Sequence, residues 1–202
     1  MILVIKIYLN VILQGLYNMG KKKIKNSTSP KKQIKTEQPT ENTNNTGFFI
    51  DLSFEGLYYS VDDGDFTNYL QNSEDFVKKF KEIRKLLSKI SGKNFIKDLV
   101  NMKHCHIIEN DKRNKVVSCI CESLKRYDSN KNIEDFKNQL LDGKIYQMGF
   151  EGPVRIVGTY NNNGNNGLFR VYLIDYHHRL FFDEKRNTMN TKNYRFCPMT
   201  SE

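Results

Sequence analysis

The sequence predicts an α+β fold: an N-terminal strand, three to four helices, then a C-terminal antiparallel β-meander, all in a single domain. Three observations carry this. Phe48, Ile50, Leu52 and Phe54 alternate with Phe49, Asp51, Ser53 and Glu55, the period-two pattern of a half-buried strand. Apolar residues recur at helical spacing through the middle of the chain. Near the C-terminus, two runs rich in β-branched and aromatic residues, 154–160 and 168–176, flank an Asn/Gly segment. Strands and helices grouped in blocks, rather than alternating, suit α+β architecture.

The 202 residues suffice for one well-cored domain with tails. Residues 1–18, MILVIKIYLNVILQGLYN, are apolar but interrupted by Lys6 and Asn10, and no small-residue cleavage site follows. We read them as sequence upstream of a true start at Met19, with a weak membrane anchor as the alternative. A spanning helix needs roughly 20 apolar residues, which this run barely reaches. Residues 19–46 have almost no hydrophobes, so they cannot offset their ordering entropy and are expected to form a disordered basic tail. Of the formal charge of +9, Lys6 carries one and this tail a net five, seven lysines less Glu37 and Glu41, leaving three from Gly47 onward. The body at 47–202 is therefore only mildly basic.

Within that body the strand at Gly47 continues in composition through LYYSV to Val61, and Asp63-Gly64 marks a turn. Asp62, Asp63 and Asp65 lack the remaining ligand spacing of a calcium loop. Ser73 is the expected N-cap of a helix whose apolar face is Phe76, Phe80, Ile83, Leu87 and Ile90, with its lysines and Arg84 mostly opposite and Gly92 as its stop. A short helix over 95–102 follows. Residues 111–127 form a second amphipathic helix, and Ile133, Phe136 and Leu140 a third, capped by Asn132 and ended at Gly143. Pro153 opens the first meander strand, where its missing N–H is tolerated. NNNGNNG at 161–167 reads as a flexible hairpin loop, and residues 179–182 as a returning third strand.

The four histidines occur as His104 and His106 around Cys105, and as His177-His178. With Cys119, Cys121 and Cys197 they form a zinc inventory without the CxxC pairs zinc usually takes. Cys119 and Cys121 lie about 200° apart on a helix, so one ion does not suit both. No zinc and no cofactor are expected. Cys105 between two histidines raises the idea of an activated thiolate, with a buried bystander thiol as the plainer reading. No disulfide framework is legible, which suits a reducing cytoplasm.

The constellation with most chemistry is Arg155, Arg170, Tyr160, Tyr172, Tyr176, His177, His178 and Arg179. On one sheet face, guanidinium groups would hold phosphate and tyrosines would stack on unpaired bases. Metal-free RNA cleavage needs a base for the 2′-hydroxyl, a cation for the developing charge and an acid for the leaving oxygen. Arg155, Arg170 and one of His177 and His178 are the expected catalytic groups; Tyr160, Tyr172, Tyr176 and Arg179 are the expected RNA contacts. The plainer alternative has these arginines paired with carboxylates and the tyrosines capping the core.

Helices followed by a basic meander, with GPVRIVGTY and then FRVYLIDYHHRLF, resemble the C-terminal sheet of the RelE/ParE toxin superfamily. The resemblance covers roughly residues 73–183. It implies a small α+β fold, and for the RelE-like branch an mRNA endoribonuclease acting on the ribosome with an antitoxin partner. It matches Arg155 to the arginine of the first meander strand and Arg170 or Arg179 to a phosphate-binding position. The chain departs from that pattern in its length, its helix at 111–127 and its strand region at 47–61. The function expected is thus a small cytoplasmic RNA-directed protein, a RelE-like metal-independent endoribonuclease. The alternative is a non-enzymatic interaction module of a phage or mobile element. A membrane partner is not expected.

Overall fold

The computed structural model of the protein describes residues 47–64, 66–90, 99, 102, 104–163, 166–181 and 189–200. All lie in the second of two units into which the chain divides, Met1–Asn42 and Thr43–Glu202. The readings of residues 1–18 and 19–46 fall outside the described residues, as does most of the helix expected over 95–102. In chain order the elements are β1 (Gly47–Asp51), β2 (Asp62–Asp63), β3 (Phe66–Thr67), α1 (Ser73–Ile90), β4 (His106–Ile107), α2 (Asn110–Tyr127), α3 (Glu134–Asp142), β5 (Ile145–Gly149), β6 (Arg155–Asn163) and β7 (Asn166–Asp175).

Five strands make a mixed sheet in the order β1-β7-β6-β5-β4, with β1 parallel to β7 and the other neighbours antiparallel. The class is α+β. Both faces of the sheet are covered. Ile83, Leu86 and Ile90 of α1 share one core with Met148, Ile156, Phe169, Val171 and Ile174. Val116, Val117 and Ile120 of α2 and Leu140 of α3 share the other with Ile145, Val157, Tyr172 and Leu173. Each such side chain, fully buried, contributes about 1.5–3 kcal/mol, so the two cores hold the sheet between helices.

Between β6 and β7 the register slips: Val157 pairs with Leu173 but Gly158 with Val171, leaving Tyr172 as the extra residue of a β-bulge. A Cβ on residue 158 would sit 1.9 Å from the Arg170 carbonyl oxygen, so only glycine lets β7 approach here.

Several expectations need correction. The meander is β5-β6-β7, its third strand preceding the other two; residues 179–181 are not a strand. Asp175 explains why: its carboxylate accepts from the backbone N–H of His177 (3.0 Å) and Leu180 (2.7 Å), turning the chain out of the sheet. The hairpin loop is shorter than expected, because the asparagines keep pairing through Asn163 and Asn166. At the N-terminus the strand stops at Asp51, whose side chain caps Ser53 N at 2.8 Å, and the LYYSV segment forms turns with Tyr59 N bonded to Gly56 O. The Asp63-Gly64 turn stands, with Gly64 at φ 61°.

The helices are where the periodicity put them, with one change of face. On α1, Lys79 is buried and bridged to Glu82 at 3.3 Å, while Phe80 is 48% exposed. Asn72 rather than Ser73 supplies the capping oxygen, to Asp75 N at 2.9 Å. Asn132 caps α3 through Glu134 N at 3.1 Å, as expected.

Candidate functional site

The expected constellation does not share one surface. Arg170 projects beside β1, where Asp51 is its register partner, and its Nε donates to the Asp51 carboxylate at 2.6 Å. That bond raises the Arg170 pKa. Burial works against ionised Asp51, but the bonds from Ser53 and Arg170 outweigh it and hold its carboxyl below the usual range. Tyr172 packs on the α2–α3 side, edge-on to Phe54 and Phe136 at 5.1 and 5.6 Å, and accepts from Thr159 Oγ1 at 3.4 Å. Tyr160 lies against the α1-side core, its ring on Gly167. Tyr176 is buried in that same core, and burial raises its phenol pKa. Tyr172 and Tyr176 present no open ring for a base, and Tyr160 is half-buried.

The two adjacent histidines part company. His177 is buried: its Nε2–H donates to the Tyr69 carbonyl at 2.8 Å, and its ring packs on Tyr194 at 5.4 Å. Burial lowers its pKa. Its ring is thus held inside the fold rather than at the surface. His178 takes the left-handed conformation, φ 56°, the one described non-glycine residue to do so, and turns the other way. Arg179 donates to the Met189 carbonyl at 3.0 Å.

Arg155 is the centre of a different grouping. β5 ends, β6 begins and β7 ends at one edge of the sheet, where Arg155 faces Gly149 on one side and Asp175 on the other. Gly149 makes room for this side chain, since a Cβ there would fall 2.5 Å from Arg155 Cδ and displace it. Arg155 is 3% exposed, and its Nη1 donates to the carbonyls of Gly152 at 2.7 Å and Val154 at 2.9 Å. Its buried Nε has no partner among the described residues. Burial lowers the Arg155 pKa, while the Asp175 carboxylate and Cys105 act to raise it.

Two imidazoles stand in the field of this cation. His178 is lowered by burial and by Arg155, with Asp175 opposing and with His104 and His106 adding to the shift. His106, on β4 opposite Gln147, is lowered by burial, Arg155 and Lys112, with Glu109 opposing. Lys112 Nζ lies 4.8 Å over the Phe181 ring, which is 6.3 Å from the His106 ring. Cys105 is buried, its thiol 3.7 Å from the Gly149 carbonyl oxygen, and burial raises its pKa. It is not an activated thiolate. The site is a cationic, imidazole-rich end of a sheet with one aromatic ring beside it.

His104, His106 and Lys112 were not among the expected site residues. HCH and YHH were visible as pairs of histidines, but about seventy residues separate them, and only the successive pairing of β4, β5, β6 and β7 brings them together. Among the described residues, no group of three or more His, Cys, Asp or Glu side chains is arranged to hold a metal ion. Cys119 instead lies 3.8 Å from the Asp63 carboxylate, and burial first, then that charge, pushes its thiol up to about 12. All four cysteines are buried and unpaired. No helix among the described residues is long and apolar enough to cross a membrane.

The family model described as Uncharacterised protein UU032 matches residues 53–202, about three quarters of the chain. The chain belongs to that family. It is also 27% identical over 178 residues to Uncharacterized protein UU032 of Ureaplasma parvum serovar 3, an alignment covering 88% of this chain and 94% of the relative. No solved structure matches it. The family match contains the whole Arg155–imidazole grouping, whereas β1 and Asp51 precede it.

Proposed function

We propose that this is an RNA-directed protein whose contact with the phosphodiester is the Arg155–imidazole end of the sheet. The observation that supports this is the placing of His106 and His178 beside one buried arginine, with His104 next to His178 and with Lys112 and Phe181 alongside. Imidazoles held below their ordinary pKa are neutral at pH 7 and can take a proton, while the cations beside them favour an approaching anion. A phosphate arriving there would in turn favour protonation of a second imidazole.

Those groups suffice for metal-independent cleavage. His106 or His178 removes the 2′-hydroxyl proton as the 2′-oxygen attacks the adjacent phosphorus. The bond from phosphorus to the 5′-oxygen breaks, and a protonated imidazole supplies the proton to that leaving oxygen. The products are a 2′,3′-cyclic phosphate and a 5′-hydroxyl, and Arg155 and Lys112 offset the charge on the phosphorane. Arg155 acts through its field and through the loop it holds, not by direct contact. The RelE-like form of this reading, a toxin acting on mRNA in a reducing cytoplasm and held by an antitoxin-like partner, rests on the sequence resemblance alone.

The test is a labelled single-stranded RNA incubated with the full chain in EDTA. We expect cyclic-phosphate ends, and about a hundredfold slower cleavage or more in His106→Ala and in His178→Asn. Asparagine is chosen because it tolerates φ above zero. Folded wild-type protein that neither binds nor cleaves RNA would remove the reading. Val77 and Phe80, 53% and 48% exposed on α1, favour the second reading of a protein-interaction module. Its sign is a recovered protein complex that survives nuclease and loss of the histidines.

A further inference from the structure

The loop joining β5 to β6 has two sides. On one, Gly152 accepts the Arg155 guanidinium; on the other, Phe150 to Pro153 wall a groove of about 860 Å³ along α1. Lys81, Lys85 and Lys89 line the groove at four-residue spacing, about 6 Å apart along the helix, and Arg84 joins them. Lys89 Nζ sits 5.5 Å over the Phe150 ring. The opposing carboxylates are Glu82 and Glu151, and Glu82 is already engaged by Lys79 at 3.3 Å. Four cations thus face two carboxylates, one of them bonded to Lys79 through Oε1 with its buried Oε2 unpartnered among the described residues.

We propose that this groove is a backbone-tracking contact for single-stranded RNA, leading the strand over the β5–β6 loop to the imidazoles. The inference rests on the RNA-directed reading above and assigns it a second surface. A row of cations on one helix face suits successive phosphates rather than a single anion. Phe150 is half-buried against the α1-side core with Lys89 over its ring, so a base stacking there takes the place of that cation as the lysine turns to a phosphate. Only an unpaired base can do so, which favours a single strand over a duplex. The shared loop gives continuity: a chain seated on Lys85 and Lys89 has Gly152, and then the Arg155 end, as its next contact.

The experiment is fluorescence anisotropy of a labelled twelve-residue oligouridylate with the full chain across a salt series. The proteins compared are wild type, Lys81→Ala/Lys85→Ala/Lys89→Ala, and His106→Ala/His178→Asn, each with its melting curve. All three lysines are exposed, so the triple variant is expected to fold. We expect it to bind at least tenfold more weakly and to lower the slope of log affinity against log salt by about two, near 0.7 for each phosphate no longer neutralised. Phe150→Leu is expected to weaken binding about fivefold at unchanged slope. Wild-type affinity and slope in the triple variant would overturn the groove while leaving the imidazole reading intact. No binding by wild type would overturn both. Equal competition by poly-glutamate would assign the groove to acidic peptides and overturn RNA.

Discussion

Arg155 and Arg170 lie on neighbouring strands of one ribbon, and the sheet gives them opposite fates. Arg155 opens β6 under the covering chain, buried against Gly149, its bonds all to backbone carbonyls. Arg170 sits past the bulge, its side chain 48% exposed, in a surface pair with Asp51 of the parallel strand β1. A buried guanidinium shapes everything around it, because a low-dielectric setting carries its field to His106 and His178. An exposed one is screened by water and contributes locally. The lesson is that a cation's worth to a site is set by where water is excluded, not by its residue type or its strand.

The bulge that separates the two arginines is where the comparison breaks most sharply. Gly158→Ala would force a Cβ onto the Arg170 carbonyl, so we expect a loss of roughly 3 kcal/mol or more in urea unfolding. A near-wild-type midpoint would mean that β7 can shift and that the two ends are not independently fixed.

Next in size is Arg155→Ala. It removes two charge-assisted hydrogen bonds to backbone carbonyls and empties a buried site, for a loss of about 3 kcal/mol. The same change should raise the pKa of His106 and His178, since a neighbouring positive charge has gone; NMR titration of the imidazoles reads it. A stable variant with unmoved titrations would show that Arg155 has no reach.

A smaller effect is pH dependence. His106, His177 and His178 are all lowered in the folded chain from an ordinary value of 6.5. Below about 6.5 the unfolded chain therefore binds more protons than the folded one. Stability should be full above that pH and decline as pH falls through the folded-state values. Thermal melts from pH 7.5 to 5 test this, and His177→Gln should flatten the decline; an unchanged slope would mean that His177 does not carry it.

The smallest is the outer pair. In a double-mutant cycle, Arg170→Ala with Asp51→Ala should yield a coupling of about 0.5 kcal/mol that fades with added salt. A coupling several times larger would make the β1 edge as consequential as the Arg155 end.

Much of the fold was legible. α1, α2 and α3 follow from apolar spacing, and β6 and β7 from their β-branched and aromatic runs, because these patterns repeat within a few residues. Illegible were β5, a five-residue strand with a glutamine and a glycine, and the capping role of Asp175, which turned an expected strand into a turn. The face of α1 was misread because Lys79 finds Glu82 and so tolerates burial, while Phe80 is left outside. At the candidate site, Arg155 and His178 were legible as chemistry but not as neighbours of His104 and His106.

The sequence by itself determined the local elements, the distribution of charge and the inventory of imidazoles and guanidiniums. Only the tertiary structure decided which of them meet. Local periodicity is written over one or two turns of chain, whereas the pairing of β4 with β5 and of β1 with β7 joins residues far apart in sequence. Which partner wins there depends on burying both faces of one sheet at once, a property of the whole chain and of no single segment.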